Sequence, residues 1–524
     1  MGYIKHLTII GLKKFKKLDI DFNKNMNILV GENEVGKSTI LEAINIVLNQ
    51  KYKNADKSVI KELLNKENED AFFKEKTVSA LPKIQIEIVL AMMGNERGLH
   101  DFWGENRLAE PTADYGILYE CKFDDECANI LTQEIGEGKI PYEYYVMTWN
   151  TFRGTPYKNI KKPFKSIFID TSLKDTNSSF NYFNQALFSS LYDENVKMNA
   201  KNSFRFHFNN AFEKLQLADI DDKRKFGIND KKVVLESIIS VFEDNIPLES
   251  KGSGMESLVK TQIALEKKNN IDVILMEEPE NHLCFTNMKK MLDEITSKMD
   301  SSQIILTTHS NMIASRLDLR NILWLHNYMA ESLADVNEKV AKFFVKADNN
   351  NFLQFLLAQK IILVEGATEY LLLPEMFQRI AKQSLEESKV MIISCNGISY
   401  DNYLQIAQKT DKKVAVITDN DTNQRKIDKM EKFNITNVNQ HIFMDKDIDN
   451  WTWETCIYKL NKNYFENEIH VENNAEYLFH GKDFGKVLGK MLNNKVETAY
   501  QVLSKGYELN IPTYVEDAIK WISG

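Results

Sequence analysis

Alternation of apolar and polar positions marks the start of the chain. Ile4-Lys5-His6-Leu7-Thr8-Ile9-Ile10 and Leu18-Asp19-Ile20-Asp21-Phe22 switch character at each step or nearly so, and lysines separate them. That pattern predicts two strands of an antiparallel pair. Met26–Val30 is a short apolar strand running into a glycine loop, and Thr39–Leu48 places Ile40, Leu41, Ile44 and Leu48 at helical spacing. Residues 50–80, rich in Lys, Glu and Asn, read as a solvated excursion. Ile84–Leu90 alternates again, and Gly116–Lys122 and Tyr144–Trp149 are further strand candidates. From 171 to 245 Phe and Leu recur at spacings of three and four without a chemical motif, the mark of helices used for core or dimer packing. Apolar strands return at Val273–Met276, Ile304–Thr307, Ile361–Val364 and Val414–Ile417. With helical segments between them, they predict parallel sheets with crossover connections. A break in this pattern falls near 345–358, at Asn349, Asn350 and Asn351.

Composition narrows the picture. The 524 residues have room for roughly two to four domains. A net charge of -9 means that nucleic acid must be met by a local basic face, not by the whole molecule. No apolar run is long enough for a membrane span, and the N-terminus enters a strand without a signal-peptide core. His6 stands where a myristoylation motif needs Ser or Thr. The five cysteines form no CxxC pair, so reduced thiols and a cytoplasmic location are expected.

The chemistry begins at Gly31-Glu32-Asn33-Glu34-Val35-Gly36-Lys37-Ser38, which fits the phosphate-loop pattern G-x-x-x-x-G-K-[ST]. Backbone N–H groups of such a loop face phosphate oxygens, Lys37 supplies a point charge, Ser38 can ligate magnesium, and Thr39 continues into the helix. Gly31, Asn33, Gly36, Lys37, Ser38 and Thr39 are therefore the candidate ATP contacts. Val273–Glu278 is an apolar strand ending in two carboxylates. Glu277 would face the magnesium ion, and Glu278 would orient or deprotonate the attacking water. Ile304–Ser310 ends another strand in His309, placed to sense the γ-phosphate. Ser250–Met255 puts small residues, Ser253 and Gly254 among them, at a helix start and resembles a divergent ABC signature loop. In this order the four elements resemble the ATPase heads of RecF, structural-maintenance-of-chromosomes and overcoming-lysogenization-defect (OLD) proteins. The resemblance implies a dimer with ATP at its interface. No sustained heptads occur, which excludes a long coiled-coil arm.

The second half adds carboxylates. Ile361–Glu369 is a strand ending in Glu365-Gly366 with Glu369 one helical turn on, and Val414–Asp421 is a strand ending in Asp419-Asn420-Asp421. In an extended segment Asp419 and Asp421 share a face. Strand-end acids of this kind suit Mg²⁺ or Mn²⁺, and two such ions can drive phosphodiester cleavage. Either acidic strand end alone could be a solvated cap. Together they resemble a Toprim domain, and a Toprim domain behind a split ABC head resembles the OLD family, most of all the nuclease subunit of Gabija antiphage systems.

The fold class that follows is α/β: an ABC-type ATPase head split by a helical dimerisation insertion, then a C-terminal Toprim domain. Its expected limits are 1–165 and 246–345 for the two lobes of the head, 166–245 for the insertion and 346–524 for Toprim. The resemblance implies Glu365, Glu369, Asp419, Asp421 and Glu454 as metal ligands, with Glu365 also in proton transfer. It implies Lys482, with Lys486 and Lys490 as rivals, as the lysine that steadies transition-state charge. It further implies a DNA substrate, a homodimer or higher homo-oligomer and a separate helicase-type partner chain. The alternative reading is a RecF-like DNA-binding scaffold without nuclease activity.

Overall fold

The computed structural model describes residues 2–92, 99–108, 112–157, 162, 165–171, 176–215, 217, 220, 224, 226–229, 234–266, 271–298, 302–346, 351–395, 399–472 and 477–524, with backbone alone at 130, 132, 176–182, 194, 237 and 253. The chain forms two units, Met1–Leu317 with Asn321–Ala334, and Asp318–Arg320 with Asp335–Gly524.

In the first unit the alternating N-terminal segments form the expected antiparallel pair, Tyr3–Leu12 with Phe15–Asp21. Ile84–Ala91, Asp114–Phe123 and Tyr145–Thr151 extend the same sheet. A second sheet runs in the order Met329–Ser332, Ile322–His326, Met26–Gly31, Gln303–Thr307, Val273–Glu277, Ser166–Asp170, parallel except at the first pair. Every residue of Met26–Gly31, Gln303–Thr307 and Val273–Glu277 is buried, as expected of strands covered on both faces. The helix Lys37–Asn49 buries most of its length, and the Trp149 indole N–H donates to the Ile46 carbonyl at 2.8 Å. The Gln303 side chain joins the sheets by taking the Ile4 N–H at 2.8 Å and donating to the Ile4 carbonyl at 2.9 Å.

Two limits drawn from the sequence shift. Ser166–Asp170 is an edge strand of the parallel sheet, pairing with Val273–Glu277, rather than the start of a helical insertion. The helices Thr176–Leu191 and Glu194–Glu213 follow it. The second boundary moves from 345 to Ala334, because the helix Glu338–Lys346 buries Val340, Ala341 and Phe344 in the second unit. The Phe344 ring lies 5.1 Å from Phe352 and 5.0 Å from Tyr403.

The second unit holds a parallel sheet in the order Val390–Ser394, Lys360–Val364, Lys413–Ile417, Gln440–Phe443. From Lys360–Val364 the chain passes to one neighbour and then, through the helix Tyr400–Lys409, to the other. The carboxyl ends of Lys360–Val364 and Lys413–Ile417 thus flank a topological switch point, where open α/β sheets place their sites. Helices Ala367–Ala381, Trp453–Leu460, Lys495–Lys505 and Thr513–Ser523 contribute Phe377, Ile457, Val502 and Ile519 to the core. Among the described residues no helix is long and apolar enough to cross a membrane.

Candidate functional site

Both units place acids at the carboxyl ends of parallel strands. In the first, Gly31 closes its strand and Gly36 (φ 108°) precedes the helix. A Cβ at Gly31 would lie 2.6 Å from the Leu325 carbonyl oxygen, and one at Gly36 would lie 2.3 Å from the Phe15 ring. Both positions are closed to a side chain. Between them Asn33 is exposed. Lys37 is buried, and its Nζ donates to the Gly31 and Glu32 carbonyls at 2.9 Å each. Burial lowers its pKa, opposed by the charges of Glu278, Glu277 and Glu280. Ser38 hydrogen-bonds Glu277, whose own pKa is raised by burial and by the nearby charges of Asp170 and Glu278. Thr39 is buried in the first turn.

Glu278 takes a left-handed backbone (φ 44°), and its N–H donates to the Thr307 carbonyl at 3.1 Å. His309 Nε2 stands 3.3 Å from Glu278 Oε1, and Asn281 donates to Glu278 Oε2 at 2.9 Å. Lys37, Ser38, Glu277, Glu278 and His309 are thus brought together. Glu280 was not among the residues picked out by sequence. Its Oε1 accepts from Thr308 Oγ1 at 2.7 Å, His309 N at 2.8 Å and Ser310 N at 3.1 Å, so it fixes the histidine loop. Its place in Glu277-Glu278-Pro279-Glu280 was the available signal. Gly254 lies in the first turn of the helix Ser253–Leu265, where a Cβ would meet the His282 carbonyl oxygen at 2.4 Å. The Ser253 side chain lies outside the described residues.

In the second unit the register pairs Val364 with Ile417, which sets Glu365 beside Thr418 and Asp419. Glu365 Oε1 accepts from the Thr418 hydroxyl and from the Asp419 N–H at 3.4 Å. Asp419 Oδ1 accepts the Trp453 N–H at 2.8 Å, which draws in the first turn carrying Glu454. Glu369 and Glu454 are both buried. Burial, reinforced by the charges of Glu454 and Glu365, pushes Glu369 up to about 7. Burial, reinforced by Glu365, Glu454 and Glu369, pushes Asp419 up to about 8.

Asp421 departs from the extended geometry read from its spacing. The strand ends at Ile417, and Asp421 has φ 52°, so the two aspartates face different surroundings. Asp421 is exposed and pairs with Lys426. Between them Asn420 is buried, and its amide nitrogen contacts the carbonyls of Asp445, Asp447 and Asn450 at 3.0, 2.9 and 3.2 Å. This side chain pins the loop that leads to Glu454.

Lys482 also departs from expectation. It sits exposed in the hairpin Leu478–Phe479/Lys482–Asp483, whereas Lys486 and Lys490 belong to the helix Lys486–Asn493. Beside the buried acids stands Lys495, with Nζ 2.8 Å from Glu454 Oε2. Burial works against its charge, but Glu454, Asp419 and Glu369 hold its pKa above the ordinary value. Lys495 opens a helix that packs on Ala367–Ala381, a tertiary placement no local spacing announces.

Among the described residues no group of three or more His, Cys, Asp or Glu side chains is arranged to hold an ion as it stands. The carboxylates instead use oxygens on Thr418, the Trp453 N–H and Lys495. The donor chemistry nevertheless fits a divalent cation: hard oxygens, crowded like charges and acids raised toward neutrality by burial and, second to it, by one another's charge.

Residues 3–243 and 150–314 match the AAA ATPase domain family, together spanning more than half of the chain. The chain belongs to that family. Residues 356–421 match the overcoming lysogenization defect protein-like TOPRIM domain, so an OLD-like TOPRIM domain follows the ATPase domain. The chain is 37% identical over 94 residues to the DNA replication and repair protein RecF of Clostridium kluyveri, covering 18% of this chain and 25% of that protein. It is 24% identical over 152 residues to the Old nuclease of Escherichia phage P2, covering 26% of this chain and 25% of that protein. The chain thus spans about a quarter of the length of these relatives. The solved head of an Smc protein bound to the C-winged helix domain of ScpA is 17% identical, with a TM-score of 0.34, and covers 64% of this chain and 100% of that one.

Proposed function

We propose that this OLD-like ATPase–TOPRIM chain is a divalent-metal-dependent DNA endonuclease controlled by its ATPase head, acting as a homodimer or larger homo-oligomer in the cytoplasm. The observation that carries the reading is the packing of Glu365, Glu369, Asp419 and Glu454 at the switch point of the second sheet, with Glu369 and Asp419 forced toward neutral protonation. Such a site gains from binding positive charge. These four acids, with Asp421 at the outer edge, would hold Mg²⁺ or Mn²⁺, which supply water activation and charge stabilisation for phosphodiester hydrolysis. The resemblance gives Glu365 a further part in proton transfer. Lys495, rather than Lys482, balances the charge of Glu454 and is the lysine suited to steady the anionic transition state.

In the head, the loop Gly31–Lys37 and Ser38 would cradle ATP and its magnesium ion with Glu277. Glu278 orients the attacking water, and His309, held by Glu280 and facing Glu278, reads the γ-phosphate. Ser253 and Gly254 would meet the nucleotide of a second copy. A setting in antiphage defence and a separate helicase-type partner follow from the resemblance to Gabija nucleases.

The test is supercoiled plasmid with Mg²⁺ or Mn²⁺, with ATP, ADP or neither, cut by the wild type but not by the double variant Asp419→Ala, Asp421→Ala. Equal cleavage in all three nucleotide states would remove the control by ATP. No cleavage in any condition, with ATP hydrolysis and DNA binding intact, would turn the reading to a RecF-like scaffold.

A further inference from the structure

Against the loop that carries Asp421 lies the first of three aromatic rings from two segments. Trp451 directly precedes the turn to Glu454, and its carbonyl accepts the Asp421 N–H at 3.1 Å, so its backbone is fixed to the acid loop. Phe479 and Phe484 come from the hairpin segment, with ring centroids 6.0 and 5.3 Å from Trp451 and planes inclined by 33° and 41°. None of the three belongs to the hydrophobic core of the unit, and all three are partly exposed.

The hairpin closes on a tight turn. His480 (φ 49°) and Gly481 (φ 74°) make a two-residue turn with both residues left-handed, the form whose twist matches the flanking strands. Its base is clamped, because a Cβ at Gly489 would lie 2.1 Å from the Tyr477 carbonyl oxygen and Asn493 donates to the Leu478 carbonyl at 3.1 Å. Lys482 stands exposed next to the turn, while Asp483 bends back to accept the Gly485 N–H at 2.8 Å.

We infer that Trp451, with Phe479 and Phe484 behind it, is a stacking shelf for an unpaired nucleobase of the DNA strand at the acids, and that Lys482 contacts a phosphate of the same strand. The inference rests on the nuclease reading of the acids and specifies its substrate: single-stranded DNA, or duplex opened at the point of cleavage. Every nucleobase offers a flat face to an aromatic ring, but in an intact duplex those faces are covered by neighbouring base pairs. A phosphate contact from Lys482 favours all nucleic acid alike, whereas the shelf rewards only a base that has left its stack.

The full-length protein, with Ca²⁺ in place of Mg²⁺ to hold back cutting, is titrated with DNA carrying 2-aminopurine, once in a single strand and once in a full duplex. The wild type is expected to quench the probe in the single strand and to bind that strand about tenfold more tightly than the duplex, within the range of one aromatic–base stack. Trp451→Ala should lose the quench and the preference, and Trp451→Phe should restore most of both. Lys482→Ala should weaken both DNAs by a similar factor. Thermal melting of each variant shows whether it is folded, and Trp451→Phe decides if the alanine variant is not. Equal affinity of the wild type for both DNAs, or an unchanged quench in Trp451→Ala, would overturn the shelf. The plasmid assay reads the nuclease separately. A protein that stacks the base but never cuts would sink the nuclease reading alone, and one that cuts without preferring unpaired DNA would sink the shelf alone.

Discussion

The two acid sites share a plan and differ in their charge balance. In the first unit Lys37 lies at the head of the phosphate loop, on the Gly31 and Glu32 carbonyls, and within reach of the charges of Glu278, Glu277 and Glu280. In the second, Glu365, Glu369, Asp419 and Glu454 press on one another, and Lys495 relieves them only in part. A lysine in the loop beside acids at the strand end suits a ligand that brings both signs, such as ATP with magnesium. An overcharged site suits a cation alone. On the proposed reading, the same strand-end geometry would serve different ligands according to where its lysine is placed.

The largest expected effect comes from removing the loop lysine of the first site. Lys37→Ala should lower ATP hydrolysis by about 100-fold or more, the scale of losing one preorganised donor to a developing anion. Phosphate release measures it, and a variant near wild-type rate would break the comparison at its first half. Next is Lys495→Ala, which strands the buried carboxylate of Glu454. Lys495 keeps part of its side chain in water, so the cost should be about 1–3 kcal/mol rather than that of a fully buried pair. Urea unfolding measures it, and Glu454→Gln in the same chain should recover most of the loss. If the double variant is no better than Lys495→Ala alone, Lys495 is not the counterion described above.

A pH profile sharpens the second half. Glu369 near 7 and Asp419 near 8 hold protons more tightly in the folded chain than in the unfolded one, where carboxyl groups titrate near 4. Without metal, stability should fall as pH rises from about 4 to about 8. Stabilisation by Mg²⁺ or Mn²⁺ should grow over the upper part of the same window, since the ligands must lose their protons. Melting temperatures with and without metal test this, and a slope unchanged in Asp419→Asn would contradict it. The smallest effect is expected at Asp421→Asn, about 0.5 kcal/mol or less, because its partner Lys426 meets it in solvent. A larger loss of metal-free stability would mean that Asp421 belongs to the strained cluster.

How much of this the sequence disclosed depends on range. The phosphate loop, the strand ending in Glu277-Glu278 and the strand ending in Glu365 were legible because each is a local spacing on one element. Asp421 was misplaced because spacing assumes an extended chain, and the strand stops at Ile417. Lys495 was missed because it meets Glu454 across 41 positions, through a helix whose face is set by packing. Asn420 looked like the filler of an Asp-x-Asp pattern, yet its amide holds three carbonyls of another loop. Ile322–His326, Val390–Ser394 and Gln440–Phe443 are further short strands that were not picked out.

The strand Met26–Gly31 lies between Gln303–Thr307 and Ile322–His326, and Ile4 is met by Gln303. During synthesis those apolar residues leave the ribosome long before either neighbour exists. At ~5–20 residues per second, roughly 15–60 s of translation separate the strand from its partners. Over that interval the nascent chain carries an unpaired hydrophobic strand, open to association with other chains until its neighbours arrive.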